Sequence, residues 1–273
     1  MIVLSVCNHK GGTGKTTTSI NMAAALGMSG HRTLVVDLDP QGFLTRMVGL
    51  SEPAEKSSSL MLFDPDSNLC DIPCQSRKSF DVIPASSLLS KYMRKLNKPT
   101  DVFWVKEALE KPHDYDVVMF DTAAAITVFS LNALVASEFV IIPVMPEYQP
   151  ILGGEQTFQT AMMVREKLNP VLHEPRFLFT MVDARKRNHH AYRHYLRNRY
   201  EERVMESIIR TSTALSVTHE KGSTVFDHDP YSRGARDYAN ATDELLHWMD
   251  PVPQDIPEPQ TDQSSWRSIT NLS

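Results

Sequence analysis

The chain has 273 residues, 41% hydrophobic and 22% charged, with a formal net charge of −5. That length can bury a full core, and the acidic balance argues against bulk affinity for polyanions. No apolar run approaches the roughly 20 residues of a spanning helix. Cys7, Cys70 and Cys74 are too few and wrongly spaced for a disulfide framework. The first residues enter a strand pattern with no basic leader, so the reducing cytoplasm is the expected setting.

The first predicted strand, 2–7, runs into Lys10-Gly11-Gly12-Thr13-Gly14-Lys15-Thr16-Thr17 and then a predicted helix over 15–29. Strand, small-residue loop and helix form the setting of a phosphate-binding loop, whose backbone N–H groups turn inward onto anionic oxygens. In that frame Lys15 reaches the outer phosphates of a nucleotide and the Thr16 hydroxyl holds Mg²⁺. The loop departs from the usual pattern, because His9 stands where a glycine is expected and Lys10 opens the glycine run. Lys10 is too close along the backbone to curl in beside Lys15. Its ammonium either sits in solvent or reaches a phosphate held by another subunit.

The second predicted strand, 33–37, closes on Asp37-Leu38-Asp39-Pro40-Gln41-Gly42. Downstream of a phosphate loop, Asp37 is placed to hold the Mg²⁺ shell through water and Asp39 to orient an attacking water. The alternative is an N-cap and turn, since Asp-Pro is a common turn dipeptide. Residues 51–79 read as an irregular excursion with short helices, followed by a strand at 80–84 and helices at 86–97 and 101–110. A strand over 115–120 ends on Asp121, the pattern of a second carboxylate that binds Mg²⁺, usually through water.

Helices at 127–137, 151–168, 189–203 and 231–249 alternate with strands at 138–144, 176–182 and 205–209. This predicts one α/β domain over 1–249, a doubly wound, mostly parallel sheet flanked by helices, with ligands at the carboxyl ends of the strands. Residues 250–273 are acidic and proline-rich and are expected to form a disordered tail. Between Asp183 and Arg203, the basic residues Arg185, Lys186, Arg187, Arg193, Arg197, Arg199 and Arg203 outnumber Asp183, Glu201 and Glu202. Helical spacing puts His190, Arg193, His194 and Arg197 within an arc of about 100°. The stripe is either a solvated face or a track for a phosphate backbone. Arg185, Lys186, Arg233 and Arg236 are further candidates. His190 and His194 have no third metal ligand in view.

With these residues in place, 1–249 resembles the ParA branch of the deviant-Walker P-loop NTPases, which share their fold with MinD and the nitrogenase iron protein. The loop 10–17 matches the signature-lysine loop, 37–42 the first switch and 117–121 the second carboxylate strand. Pro143-Val144-Met145-Pro146-Glu147-Tyr148 and Phe226-Asp227-His228-Asp229-Pro230-Tyr231-Ser232-Arg233-Gly234-Ala235 resemble two later family segments. The resemblance implies a weak Mg²⁺-dependent ATPase. Its ATP-bound homodimer would use Lys10 in trans, bind DNA non-specifically and let go when a ParB-like or cargo adaptor protein stimulates hydrolysis. It also implies adenine contacts at Thr180-Met181 and Asp229-Pro230, and a nucleoid-associated protein without the N-terminal helix-turn-helix of larger relatives. Where the family carries prolines after the second carboxylate, this chain has Thr122-Ala123-Ala124-Ala125, which predicts a looser loop. Three other readings stay open: a MinD-like membrane ATPase, disfavoured by the acidic tail; an iron–sulfur carrier, which needs paired cysteines; and an ATP-switched binding protein with little turnover.

Overall fold

A computed structural model of the chain describes residues 1–111 and 113–249; the predicted tail lies outside the described residues. The order of elements is β1 (Ile2–Val6), α1 (Lys15–Met28), β2 (Thr33–Asp37), α2 (Phe43–Met47), β3 (Gln75–Ser76), β4 (Asp81–Ile83), α3 (Leu89–Tyr92), α4 (Trp104–Leu109), β5 (Val117–Asp121) and α5 (Val128–Ala136). There follow β6 (Phe139–Val144), α6 (Tyr148–Lys167), β7 (Arg176–Val182), α7 (Arg187–Tyr200), β8 (Val204–Arg210), α8 (Thr213–Lys221), α9 (Val225–His228) and α10 (Arg233–Met249). The strands form one sheet in the order β3-β4-β2-β5-β1-β6-β7-β8, parallel throughout except for β3 against β4.

The strands are apolar on both faces because both faces are covered. Leu4, Val6, Val35, Met119 and Ile141 point into a core with α1 and α10. Their neighbours along the chain, such as Val3, Val36 and Phe120, point to the opposite side, into a core with α4 and α5. Val140, Ile142, Phe177 and Phe179 continue that side beneath α5, α6 and α7. β1 lies centrally between β5 and β6, so its carboxyl end opens onto the middle of the sheet edge.

The predicted strands lie where expected, with small shifts of boundary. The excursion 51–79 carries three short 3₁₀ turns, at Glu55–Ser57, Ser59–Phe63 and Leu69–Asp71, and the unforeseen two-residue β3. The predicted helix 86–97 contracts to α3, a single turn. The helix predicted over 101–110 divides into a 3₁₀ turn at Pro99–Val102 and α4. The predicted 189–203 helix is α7, which stops where Glu201 turns to φ 50. The short α2, α8 and α9 were not anticipated; so few residues leave no readable period.

α1 packs against the β3–β4 hairpin through Gly27. A Cβ at Gly27 would stand 1.6 Å from the Ser79 carbonyl oxygen, a backbone atom that a rotamer change cannot move. Helix propensity alone would make alanine better than glycine here by about 1 kcal/mol. We predict that overpacking wins and that Gly27→Ala lowers unfolding stability by about 1–3 kcal/mol. Urea titration checks it, and a more stable variant would contradict the packing described.

Candidate nucleotide site

The loop after β1 turns through Gly12 at φ 74 and Gly14 at φ 82, a left-handed conformation that costs glycine nothing. α1 begins immediately afterwards, with no side-chain cap and no acidic residue in its first turn. Its leading N–H groups and dipole are thus directed at the loop's interior. Lys15 is only 8% exposed and its Nζ donates to the Lys10 carbonyl at 3.1 Å. Burial pushes the Lys15 ammonium below its ordinary pKa, against the opposing pull of Asp121, Cys7 and Asp39. The Thr180 hydroxyl, at the end of β7, donates to the Thr13 carbonyl at 2.8 Å and braces the loop from the far side. Lys10 itself is exposed at the rim.

Two carboxylates close the site. Asp121 is fully buried, and its oxygens accept from the Thr16 and Ser19 hydroxyls, each at 2.8 Å. Asp37 lies beside it, in register on the neighbouring strand. Its Oδ1 accepts the Asp39 N–H at 3.0 Å, and its Oδ2 accepts both the N–H and the hydroxyl of Thr45. Burial raises Asp121 to about 6. Burial and the neighbouring Asp121 raise Asp37 to about 7. Among the residues expected at a cation, Thr16 and Asp121 are in contact, while the Asp37 oxygens are committed to the turn that presents Asp39. Asp39 is half-exposed, its Oδ1 accepting the Gln41 N–H at 2.8 Å.

Buried carboxylates held this far above their ordinary range fit a divalent cation, which would offset their repulsion. No three or more His, Cys, Asp or Glu side chains among the described residues form a metal cage. Thr16 and Asp121 would supply the protein contacts to such a cation, which phosphate oxygens and water would complete.

Beside the loop lies a cavity of about 340 Å³ lined by Gly14, Thr17, Thr180, Met181, Arg210 and Tyr238, among others. Its size suits a nucleoside. Met181 adopts φ 51, uncommon for a side chain other than Gly or Asn, and sits over Gly14. Thr180 and Met181, the residues expected at the base, both line this cavity. Asp229 and Pro230 are not among the lining residues; Asp229 instead accepts the Tyr231 N–H in a turn ahead of α10. Tyr238 was missed, since a tyrosine on the core stripe of an amphipathic helix carries no signal of a ligand.

Residues 1–174 match a family described as an AAA domain. The chain is 34% identical over 245 residues to the chromosome-partitioning ATPase Soj of Thermus thermophilus, covering 89% of this chain and 94% of that protein. It is 31% identical over 246 residues to the sporulation initiation inhibitor protein Soj of Bacillus subtilis, covering 89% of this chain and 97% of that one. The chain belongs to the ParA/MinD family of P-loop ATPases.

Structures of the same fold agree. Cobyrinic acid a,c-diamide synthase from Mycobacterium smegmatis, solved with an ATP analog and magnesium, superposes with TM-score 0.77 at 29% identity over 92% of this chain and 96% of that one. An ATP complex of McdA from Cyanothece gives TM-score 0.79 at 18% identity, over 93% and 99% of the two chains. ATP hydrolysis, nucleotide and Mg²⁺ binding, and a role in partitioning or positioning are thus properties of this ParA/MinD-family chain's relatives that its site can accommodate.

Other family expectations meet specific local structure. The loop after Asp121 lacks prolines but is tied at both ends, by the Thr122 hydroxyl on the Val6 carbonyl and by a Thr127–Ser130 capping box at α5. Ala124, Ala125 and Ile126 between them are exposed. Cys7 is buried, which pushes its thiol up to about 12, and Cys70 and Cys74 lie exposed in the excursion. These thiols do not converge on the loop that carries Lys10. Arg193 and Arg197 are half-buried, Arg193 over the Phe179 ring at 5.9 Å and Arg197 paired with Glu206 at 2.9 Å. Arg185 pairs with Asp183 at 2.8 Å and Lys186 lies 3.5 Å from Glu147. Arg233 and Arg236 are exposed at the start of α10.

The raised carboxylates set a direction for stability against pH. With nucleotide and metal removed, the unfolded Asp side chains ionise near 3.8 while the folded pair holds its protons to about 6 and 7. Their contribution is fully present below about pH 4 and is lost as pH rises toward 7. We predict that the EDTA-treated protein loses more stability between pH 5 and 7.5 than Asp121→Asn does, read from urea midpoints. Equal losses would contradict the assignment.

Proposed function

We propose that this chain is an ATP-dependent DNA-partitioning or cargo-positioning ATPase whose ATP-bound homodimer forms around Lys10 and binds DNA non-specifically. The observation that carries it is the separation of two lysines in one loop. Lys15 is buried against the loop interior, while Lys10 stands exposed on the rim, with only its backbone carbonyl shared between them. One lysine serves the nucleotide of its own subunit, and the other is free to reach that of a second copy.

Within one subunit, the loop amides and Lys15 bind the phosphates, and Thr16 and Asp121 hold Mg²⁺, which supplies charge neutralisation on the transferring phosphoryl group. Asp39 orients the water. The turn braced by Asp37 keeps Asp39 in place. Phosphoryl transfer needs positioning and positive charge more than covalent chemistry, so the Lys10 of a second copy would complete the site. A short stimulating segment of a ParB-like or cargo adaptor protein would act on that completed dimer.

For DNA, the reading favours the exposed cations at the carboxyl edge of β7 and β8. Thr211 N–H donates to the Val182 carbonyl, and Gly234 packs on Leu215 and Ser212, so the loop bearing Arg185 and Lys186 and the start of α10 occupy one edge. Arg233 and Arg236 join them there. Arg193 and Arg197 lie against the sheet and contribute less.

Two sets of measurements test this. Lys15→Ala is expected to lose tight nucleotide binding in equilibrium titration. Asp39→Ala is expected to bind ATP and accumulate as a dimer on sizing chromatography, whereas Lys10→Ala binds ATP and dimerises only weakly, at much higher protein concentration; a monomeric Asp39→Ala would refute its role. Arg233→Glu with Arg236→Glu is expected to weaken DNA binding by about tenfold or more and flatten its salt dependence. Arg193→Glu with Arg197→Glu should do less, and the reverse ranking would move the interface onto α7.

A further inference from the structure

We propose that Asn8, backed by Gly153 and Thr157, is the seat that aims Lys10, so that presentation of this lysine is set by β6 and α6 and not by the phosphate loop. The inference rests on the reading that Lys10 acts on a second copy.

Asn8 is 1% exposed, immediately ahead of the loop. Its Nδ2 donates to the Pro143 carbonyl on β6 at 2.7 Å, and its Oδ1 accepts the Lys10 N–H at 2.8 Å. The two partners fix the amide's orientation, because a carbonyl only accepts and an N–H only donates. One planar group therefore ties the backbone of Lys10 to a central strand. The next residue is tied to α6: the His9 N–H donates to the Thr157 hydroxyl at 2.9 Å, which donates in turn to the Gly153 carbonyl at 2.7 Å.

α6 approaches this segment as closely as a backbone can. A Cβ at Gly153 would stand 2.8 Å from the Lys10 Cβ and 3.0 Å from Asn8 Oδ1. A Cβ at Gly154 would stand 2.6 Å from Val144 Cγ1. Consecutive glycines are unfavourable inside a helix, and here they admit the lysine and the strand beneath it. The direction of the Lys10 Cα–Cβ bond is thus determined by Asn8 on one side and Gly153 on the other. Lys15, in contrast, takes its direction from α1. An aspartate at position 8 would lack the donor and set a carboxylate against the Pro143 carbonyl. A leucine would offer neither bond.

If Asn8 were simply a buried, satisfied polar residue, its loss would damage folding or nucleotide binding in general. If it aims Lys10, its loss damages dimerisation selectively and only while Lys10 is present. The test uses the full chain as Asn8→Ala and Gly153→Ala, each alone and combined with Lys10→Ala. Affinity for Mg-ATP is measured at concentrations where the protein is monomeric, and the ATP-dependent dimer constant by sedimentation velocity. Both single variants are expected to keep nucleotide affinity within about threefold and to weaken the dimer by about tenfold or more. In the Lys10→Ala background that loss should vanish, because a residue acting through another is not additive with it. Additive losses, or a nucleotide affinity that falls as far as dimerisation, would overturn the seat. Should Asn8→Ala fail to fold, Gly153→Ala carries the same comparison. If Lys10→Ala weakens the dimer and neither seat variant does, only the seat falls; if Lys10→Ala leaves the dimer unchanged, the reading of Lys10 falls with it.

Discussion

The buried charge around Asp121 constrains the rest of this molecule. A carboxylate with no solvent exposure is tolerable only when donors and a nearby cation face it. Thr16 and Ser19 supply the donors from successive turns on one face of α1, and Lys15 supplies the charge. This requires β5 to end level with the first turn of α1. It also requires β2, whose Asp37 lies in register with Asp121, to deliver a second carboxylate beside the first. The repulsion between the two is held in check by hydrogen bonds from Thr45 and Asp39, and those bonds shape the turn that carries Asp39. The geometry expected of an ATPase site thus follows from the need to satisfy two adjacent acids inside a parallel sheet.

Around that centre the chain uses two separate frameworks. The elements proposed to grip a nucleotide within one subunit are α1, the ends of β2 and β5, and the cavity beside Met181. The elements behind Lys10 are β6 and the start of α6. They meet at one backbone unit, where the Lys10 carbonyl accepts from Lys15 and the Lys10 N–H is held by Asn8. On the proposed reading, this arrangement separates occupancy of the site from its completion by a second copy. It also explains why glycines occur in the middle of a helix far from the glycine-rich loop in sequence.

Much of this was legible before any coordinates. The loop 10–17 declares itself through spacing, because only small residues let backbone amides converge on phosphate. Asp121 is legible because it closes a strand and Asp39 because it follows the end of one by two residues, and strands in an open α/β sheet deliver such residues to a common edge. The strand set was readable from apolar runs bounded by turn residues. The short α2, α8 and α9 were not, although α5, no longer than α8, was. The role of Asp37 was only half legible: its type and place mark the site, but its commitment to Thr45 depends on a helix the pattern does not reveal. The Asp229-Pro230 turn, legible only as part of a motif, is not among the residues that line the cavity with Tyr238.

The basic residues divide the same way. Charge is visible in the string of letters, whereas availability is not. Arg193 and Arg197 share a stripe by helical spacing, yet the fold lays that stripe over Phe179 and against Glu206. Local sequence by itself determined the phosphate loop, the acidic strand ends and the doubly wound sheet, because each rests on short-range geometry or on the burial of continuous apolar runs. Only the tertiary structure decided which arginines face solvent, what lines the cavity beside Met181 and what stands behind Lys10, because those depend on contacts between residues as much as 220 positions apart.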